Sequence, residues 1–122
     1  MEEFQLASRQ AGDWTVIDIW GEVDVNTAPR LKEAIVATVA RDKTMVALNL
    51  AGVGFLDSTG LAVLVGGAKR ARQANGDLAL ISPNEQILRV LSITNLIKVL
   101  PVYASVEALA GIKDDGLTKV GT

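Results

Sequence analysis

Across residues 45–71 the spacing of apolar side chains changes period once, and that change restricts the fold more than any other feature of the chain. Residues 45–50 form a short, nearly all-apolar run of the kind found in a strand buried on both faces. From Ser58 onward, Leu61, Leu64, Val65, Ala68 and Ala71 recur at i, i+3, i+4, i+7 and i+10 of a helix. Between the two lies residues 51–57, which reads as a loop because it carries Gly52 and Gly54. A buried strand that passes through such a loop into an amphipathic helix is half of a β-α-β unit. Units of that kind build parallel sheets with right-handed crossovers.

The flanking segments extend this pattern. Residues 4–9 alternate as a first strand, Ala11-Gly12-Asp13 supplies turn chemistry, and residues 14–20 follow as a β-branched second strand, so a hairpin is predicted. Asn26 or Thr27 caps a first helix with Pro29 in its first turn. Its inward stripe is Leu31, Ala34, Ile35, Thr38 and Val39. Asn75-Gly76 stops the second helix, and Gly66-Gly67 within it is read as close packing against the sheet. A strand over residues 78–82 comes next, then a short helix capped by Asn84, a last strand within residues 97–102, and a final helix capped by Ser105. The predicted order is β-β-α-β-α-β-α-β-α, an α/β fold with a mixed central sheet and parallel core strands. One domain over residues 1–112 is expected, with residues 113–122 a polar tail that frays.

Composition narrows the function. Of 122 residues, none is cysteine and none is histidine. Disulfides, thiolate nucleophiles, Ser-His-Asp catalysis, histidine phosphocarriers and nearly all transition-metal sites are thereby removed. The net charge is −2, and the densest basic cluster, Lys69, Arg70 and Arg72, falls where a helix C-terminus favours cations. Nucleic-acid binding is not expected. The acidic start is unlike a signal peptide, and the longest strongly apolar run, residues 61–68, is too short to cross a bilayer. A cytoplasmic protein with no membrane contact is the expectation.

The chemistry concentrates in Gly52-Val53-Gly54-Phe55-Leu56-Asp57-Ser58-Thr59-Gly60-Leu61. A dinucleotide loop fails because Asp57 stands at the third glycine of GxGxxG, where a carboxylate would face a pyrophosphate. A phosphate loop fails for want of Gly-Lys-Ser/Thr, and a hydrolase nucleophile fails for want of a base. Two readings survive. Asp57, Ser58 or Thr59 caps the helix, and one of them suffices for that. Alternatively, a serine at the helix mouth accepts a phosphate, which free backbone N–H groups and the helix dipole tolerate.

The order of elements and several motifs resemble a STAS domain, specifically the stand-alone anti-sigma-factor antagonists. The matching pieces are Gly21-Glu22-Val23-Asp24, Asn49-Leu50-Ala51-Gly52-Val53, the Asp57-Ser58-Thr59-Gly60-Leu61 element, residues 90–96 and residues 105–109. The resemblance implies a partner-switching role for a chain that is not an enzyme and holds no cofactor or metal. Unphosphorylated, it binds an anti-sigma factor that is also a GHKL-type serine kinase, and a sigma factor is released. The kinase phosphorylates Ser58, and a PP2C-type phosphatase resets it. By the same resemblance Asp24, Asn26, Asp57, Ser58, Thr59, Gly60 and Leu61 contact the partner; on packing grounds Phe55 and Leu61 are expected mostly in the core, with Leu61 at the edge of the docking surface. The alternative is a STAS scaffold or transporter-associated subunit without a phosphoswitch. Asn49 replaces a frequent Asp and removes a charge there. Asn95 replaces a usual glycine and is expected to keep the left-handed turn.

Overall fold

A computed structural model describes residues 3–111; the expected frayed tail lies outside these residues. Strands β1 (Gln5–Ala11) and β2 (Trp14–Val23) form the expected antiparallel hairpin. After them come α1 (Ala28–Ala40), β3 (Met45–Leu56), α2 (Ser58–Gln73), β4 (Asp77–Ile81) and α3 (Glu85–Ile93). A 3-10 turn (Leu96–Lys98), β5 (Val102–Tyr103) and α4 (Val106–Ala110) complete the order. The five strands lie in sequence order, with β2–β3, β3–β4 and β4–β5 parallel. The element order and the mixed sheet agree with the sequence reading.

Strand alternation separates two faces of the sheet. Ile17, Ile19, Val46, Leu48, Leu78 and Leu80 point to one side and pack with Leu31, Ile35, Leu64 and Leu91 of the helices. This main core is fully buried at most positions, and burying each such aliphatic side chain stabilises by about 1.5–3 kcal/mol. On the other side Val16, Ala47, Ala79 and Ile81 meet Leu109 of α4 in a smaller cluster. Because β2, β3 and β4 are parallel and each is followed by a helix, their C-terminal ends gather at one edge of the sheet. The functional candidates lie at that edge.

Four details depart from the sequence reading. The segment 51–57 is mostly strand, since β3 runs to Leu56. Its pairing with β2 shifts between Asp18 and Trp20 and again between Gly21 and Glu22. Each shift gives β3 an extra residue, so Leu50, Val53 and Leu56 reach the core at intervals of three rather than two. That broken alternation, with two glycines inside it, looks like a loop on paper. Gly52 is there because a Cβ would stand 2.6 Å from the Trp20 ring and 2.8 Å from the Ile19 carbonyl.

The second departure is the last strand, reduced to Val102–Tyr103, while Leu96–Lys98 fold into the 3-10 turn and Leu100, just after it, is buried. Short apolar runs do not tell strand from turn by periodicity. Asn95 does take the left-handed conformation, φ 65°. Thirdly, Thr27 occupies the α1 N-cap position without a side-chain capping bond. Finally, the glycine pair divides. Gly67 packs against Leu78 and Ile35, as expected, but around Gly66 there is open space.

Candidate functional site

The helix start at residues 57–60 resolves the competition among three capping candidates. Asp57 is the N-cap of α2, and its carboxylate accepts from the Thr59 N–H at 2.9 Å and the Gly60 N–H at 3.1 Å. The Thr59 hydroxyl donates to the same oxygen. The Thr59 hydroxyl first, then the Gly60 N–H, hold the Asp57 carboxyl below the ordinary carboxylate range. Two of the amides expected to be free for an incoming phosphate are therefore already taken by Asp57. Ser58, between these tied residues, is exposed. Its hydroxyl has no hydrogen-bond partner among the described residues, so the cap explains every side chain of the Asp-Ser-Thr run except the serine.

Tertiary contacts place the tip. The Asp57 N–H donates to the Val23 carbonyl at 3.2 Å, which ties the start of α2 to the end of β2. Gly60 makes this closeness possible: a Cβ there would lie 2.8 Å from both Leu56 Cγ and Val23 Cγ1. Gly60 is buried, so its part in the tip is to let the helix seat against β2 and β3. Leu61 is half-buried against the main core. Phe55, expected in the core, is instead 42% exposed. The second β3 bulge re-aims it outward while Leu56 takes the inward position.

Asp24 and Asn26 follow Val23 directly, so parallel pairing brings their loop to the edge that carries Ser58. The Asp24 carboxylate accepts from the Asn26 N–H at 2.9 Å and the Thr27 N–H at 3.2 Å, fixing the turn before α1. The Thr27 hydroxyl donates to the Glu22 carbonyl at 2.7 Å. A third element completes the edge. Asn84, the α3 N-cap, also donates to the Val53 and Gly54 carbonyls, and Gln86 exchanges hydrogen bonds with the backbone of Leu56. Asn84 was legible as a cap, but nothing in the sequence marked Gln86 as a pin on β3. Nor did anything mark Val25, 65% exposed in the same edge loop.

A second polar cluster lies within the sheet. Asp18 of β2 receives Arg9 of β1 through two nitrogens, at 2.8 and 3.1 Å, and the Asn49 amide of β3 at 2.7 Å. The Arg9 guanidinium, opposed by burial and helped by Asn49, holds the Asp18 carboxyl below its ordinary range. The charge lost by having Asn at position 49 thus has a local reason: a carboxylate there would face the Asp18 carboxylate at hydrogen-bonding distance.

Neither cluster has the makings of a metal centre; among the described residues no three potential ligands converge. No helix of the described residues is long and apolar enough to cross a membrane. The strand-to-helix edge thus presents an exposed, unengaged serine beside a half-buried carboxylate.

The fold and this edge define a STAS domain: the profile of that family matches residues 5–109, and the chain belongs to it. Within the family it is similar to the anti-sigma factor antagonists. The anti-sigma-B factor antagonist of Listeria monocytogenes is 35% identical over 88 residues, 70% of this chain and 77% of the relative. Its Bacillus subtilis counterpart is 35% identical over 91 residues, 75% of this chain and 83% of that one. The crystal structure of an anti-sigma factor antagonist from Mycobacterium paratuberculosis superimposes with a TM-score of 0.79 at 27% identity, covering 92% of this chain and 96% of the other.

Proposed function

We propose that this chain is an anti-sigma factor antagonist gated by phosphorylation of Ser58. The names of its relatives support the antagonist role, and the observation that carries the gate is the unengaged Ser58 hydroxyl between two engaged neighbours. Unphosphorylated, the chain binds an anti-sigma factor that is also a GHKL-type serine kinase, so that a sigma factor goes free. In the transfer step Ser58 Oγ attacks the γ-phosphorus of the kinase's ATP. The bond to ADP breaks, and the serine proton leaves to a base on the kinase or to water. A PP2C-type phosphatase hydrolyses the ester and restores the serine. ATP and its magnesium belong to the kinase; this chain is substrate and binder in the cytoplasm, not an enzyme.

The gate works without a change of fold. The Thr59 and Gly60 amides are held by Asp57, so a phosphate on Ser58 projects outward beside an ionised carboxylate rather than being drawn into the helix start. Covering such a pair requires desolvating roughly two charges from the phosphate next to a third. A penalty of about 3 kcal/mol weakens affinity more than a hundredfold. Asp24, Asn26, Asp57, Thr59 and Leu61 form the surface around the switch, and Gly60 positions it. A STAS scaffold without a phosphoswitch leaves the free serine with no task.

Intact-mass analysis with the cognate kinase and ATP tests this reading. One added phosphate mapped to Ser58, abolished by Ser58→Ala, is expected. Equal kinase affinity for wild type, Ser58→Ala and Ser58→Asp would refute the gate.

A further inference from the structure

The surface that begins at Ser58 does not end there. On the side of α2 that faces α1, the exposed positions after Ser58 are Ala62, Gly66, Lys69, Arg70 and Gln73. Where α2 lies beside α1 they border a groove of about 420 Å³. Its floor includes Ile35, Val36, Val63 and Gly66, and its charged lining is Lys32, Lys69 and Arg70, with no carboxylate. None of these three cations has a salt-bridge partner among the described residues. From Ala62 to Gln73 the groove follows α2 for about 16 Å at 1.5 Å per residue, enough for three turns of a partner helix.

Two further observations bear on this groove. Gly66 costs α2 helix propensity, and the fold has no use for it: a Cβ there would meet nothing within 4 Å, whereas its neighbour Gly67 is hemmed in by Leu78 and Ile35. Charge is also divided along this side of the molecule. The edge segments 22–27, 53–61 and 82–87 carry Glu22, Asp24, Asp57 and Glu85 and no lysine or arginine. The groove has the opposite sign. Segregated charge of this kind orients a partner and raises its association rate.

We propose that the α1–α2 groove receives an acidic amphipathic helix of the same kinase that reaches Ser58, with apolar side chains on the floor and carboxylates against Lys32, Lys69 and Arg70. The occupant is acidic because the lining is uniformly basic. It belongs to the Ser58 partner because the groove opens at Ala62, one helical turn from the switch. This assignment rests on the gate reading for the identity of the partner but not for the docking itself.

The test is a titration of the full chain with its cognate GHKL kinase at low and moderate salt. The triple variant Lys32→Glu/Lys69→Glu/Arg70→Glu is expected to bind about tenfold more weakly or worse and to lose much of the salt dependence. Gly66→Leu is expected to fill the groove, lowering affinity by a similar factor while raising the melting temperature, which separates docking from folding. Wild-type affinity in both variants, with Ser58→Asp still failing to bind, overturns the groove and leaves the gate standing. Weakened groove variants alongside normal binding of Ser58→Asp support the groove and overturn the gate. Concentration-dependent self-association of the wild type that disappears in the triple variant makes the occupant a second copy, and overturns the proposal.

Discussion

Asp18 and Asp57 are both carboxylates held by hydrogen bonds inside the protein, yet they are built in opposite ways. Asp18 takes its partners from the strands on either side, Arg9 nine residues before it and Asn49 thirty-one after. Asp57 takes its partners from Thr59 and Gly60, two and three residues on. The first arrangement exists only once three strands have assembled, and it stiffens the middle of the sheet. The second is complete within one helical turn. It leaves the middle residue of that turn, Ser58, free to change chemically without loosening the fold.

This contrast predicts where substitutions act. The largest effect is expected from Ser58→Asp, which should cost more than a hundredfold in kinase affinity while its unfolding free energy stays within about 0.5 kcal/mol of wild type; paired binding and denaturant titrations check both. Should the variant prove strongly destabilised, the serine is structural and the contrast fails. Next comes Asn49→Asp, which puts a second carboxylate against Asp18 and should destabilise by about 1–3 kcal/mol at neutral pH. The deficit should shrink as acid protonates the pair, and unfolding at pH 7 and pH 4 distinguishes this from a simple packing defect.

Gly60→Ala should cost about 1–3 kcal/mol, because the new methyl is driven into Leu56 and Val23. A smaller loss comes from Asp57→Ala, which removes the cap and should lower the melting temperature by roughly 5 °C. The smallest effect is the pH dependence of the wild type. Both aspartates have carboxyls held below the ordinary range, so each is deprotonated in the folded state at pH values where the unfolded chain already binds protons. Their contribution is complete above the unfolded value, about 3.9, and disappears as the pH falls through the lower folded values. Asn49→Leu, by removing one of the bonds that lower Asp18, should move that acid limb to higher pH.

Much of the fold was legible because local periodicity and tertiary burial agree in most elements. The hairpin, the α2 stripe at Leu64, Ala68 and Ala71, and the caps at Asn84 and Ser105 all follow from nearest-neighbour rules. What escaped were places where pairing overrides local pattern. The two β3 bulges cannot be read from β3, since they are defined by its register against β2. Phe55 faces outward for that reason alone. Val65, counted in the inward stripe, lies on its margin and is 36% exposed. Gln86 became part of the edge only because α3 returns to the end of β3.

The amino-acid sequence alone determined the order of strands and helices, the chemistry at residues 57–61 and the absence of any thiol or imidazole. Those depend on residue identity and on spacings shorter than a helical turn or two. Only the tertiary structure decided that Asp57 is the cap, that Ser58 is the hydroxyl left over, and that Asp24 stands at the same edge. The first two turn on where β3 ends and α2 begins, and the last on which neighbour a strand finds and in what register. Hydrogen bonds between strands, with the closeness that Gly60 permits, settle the matter after the chain has folded.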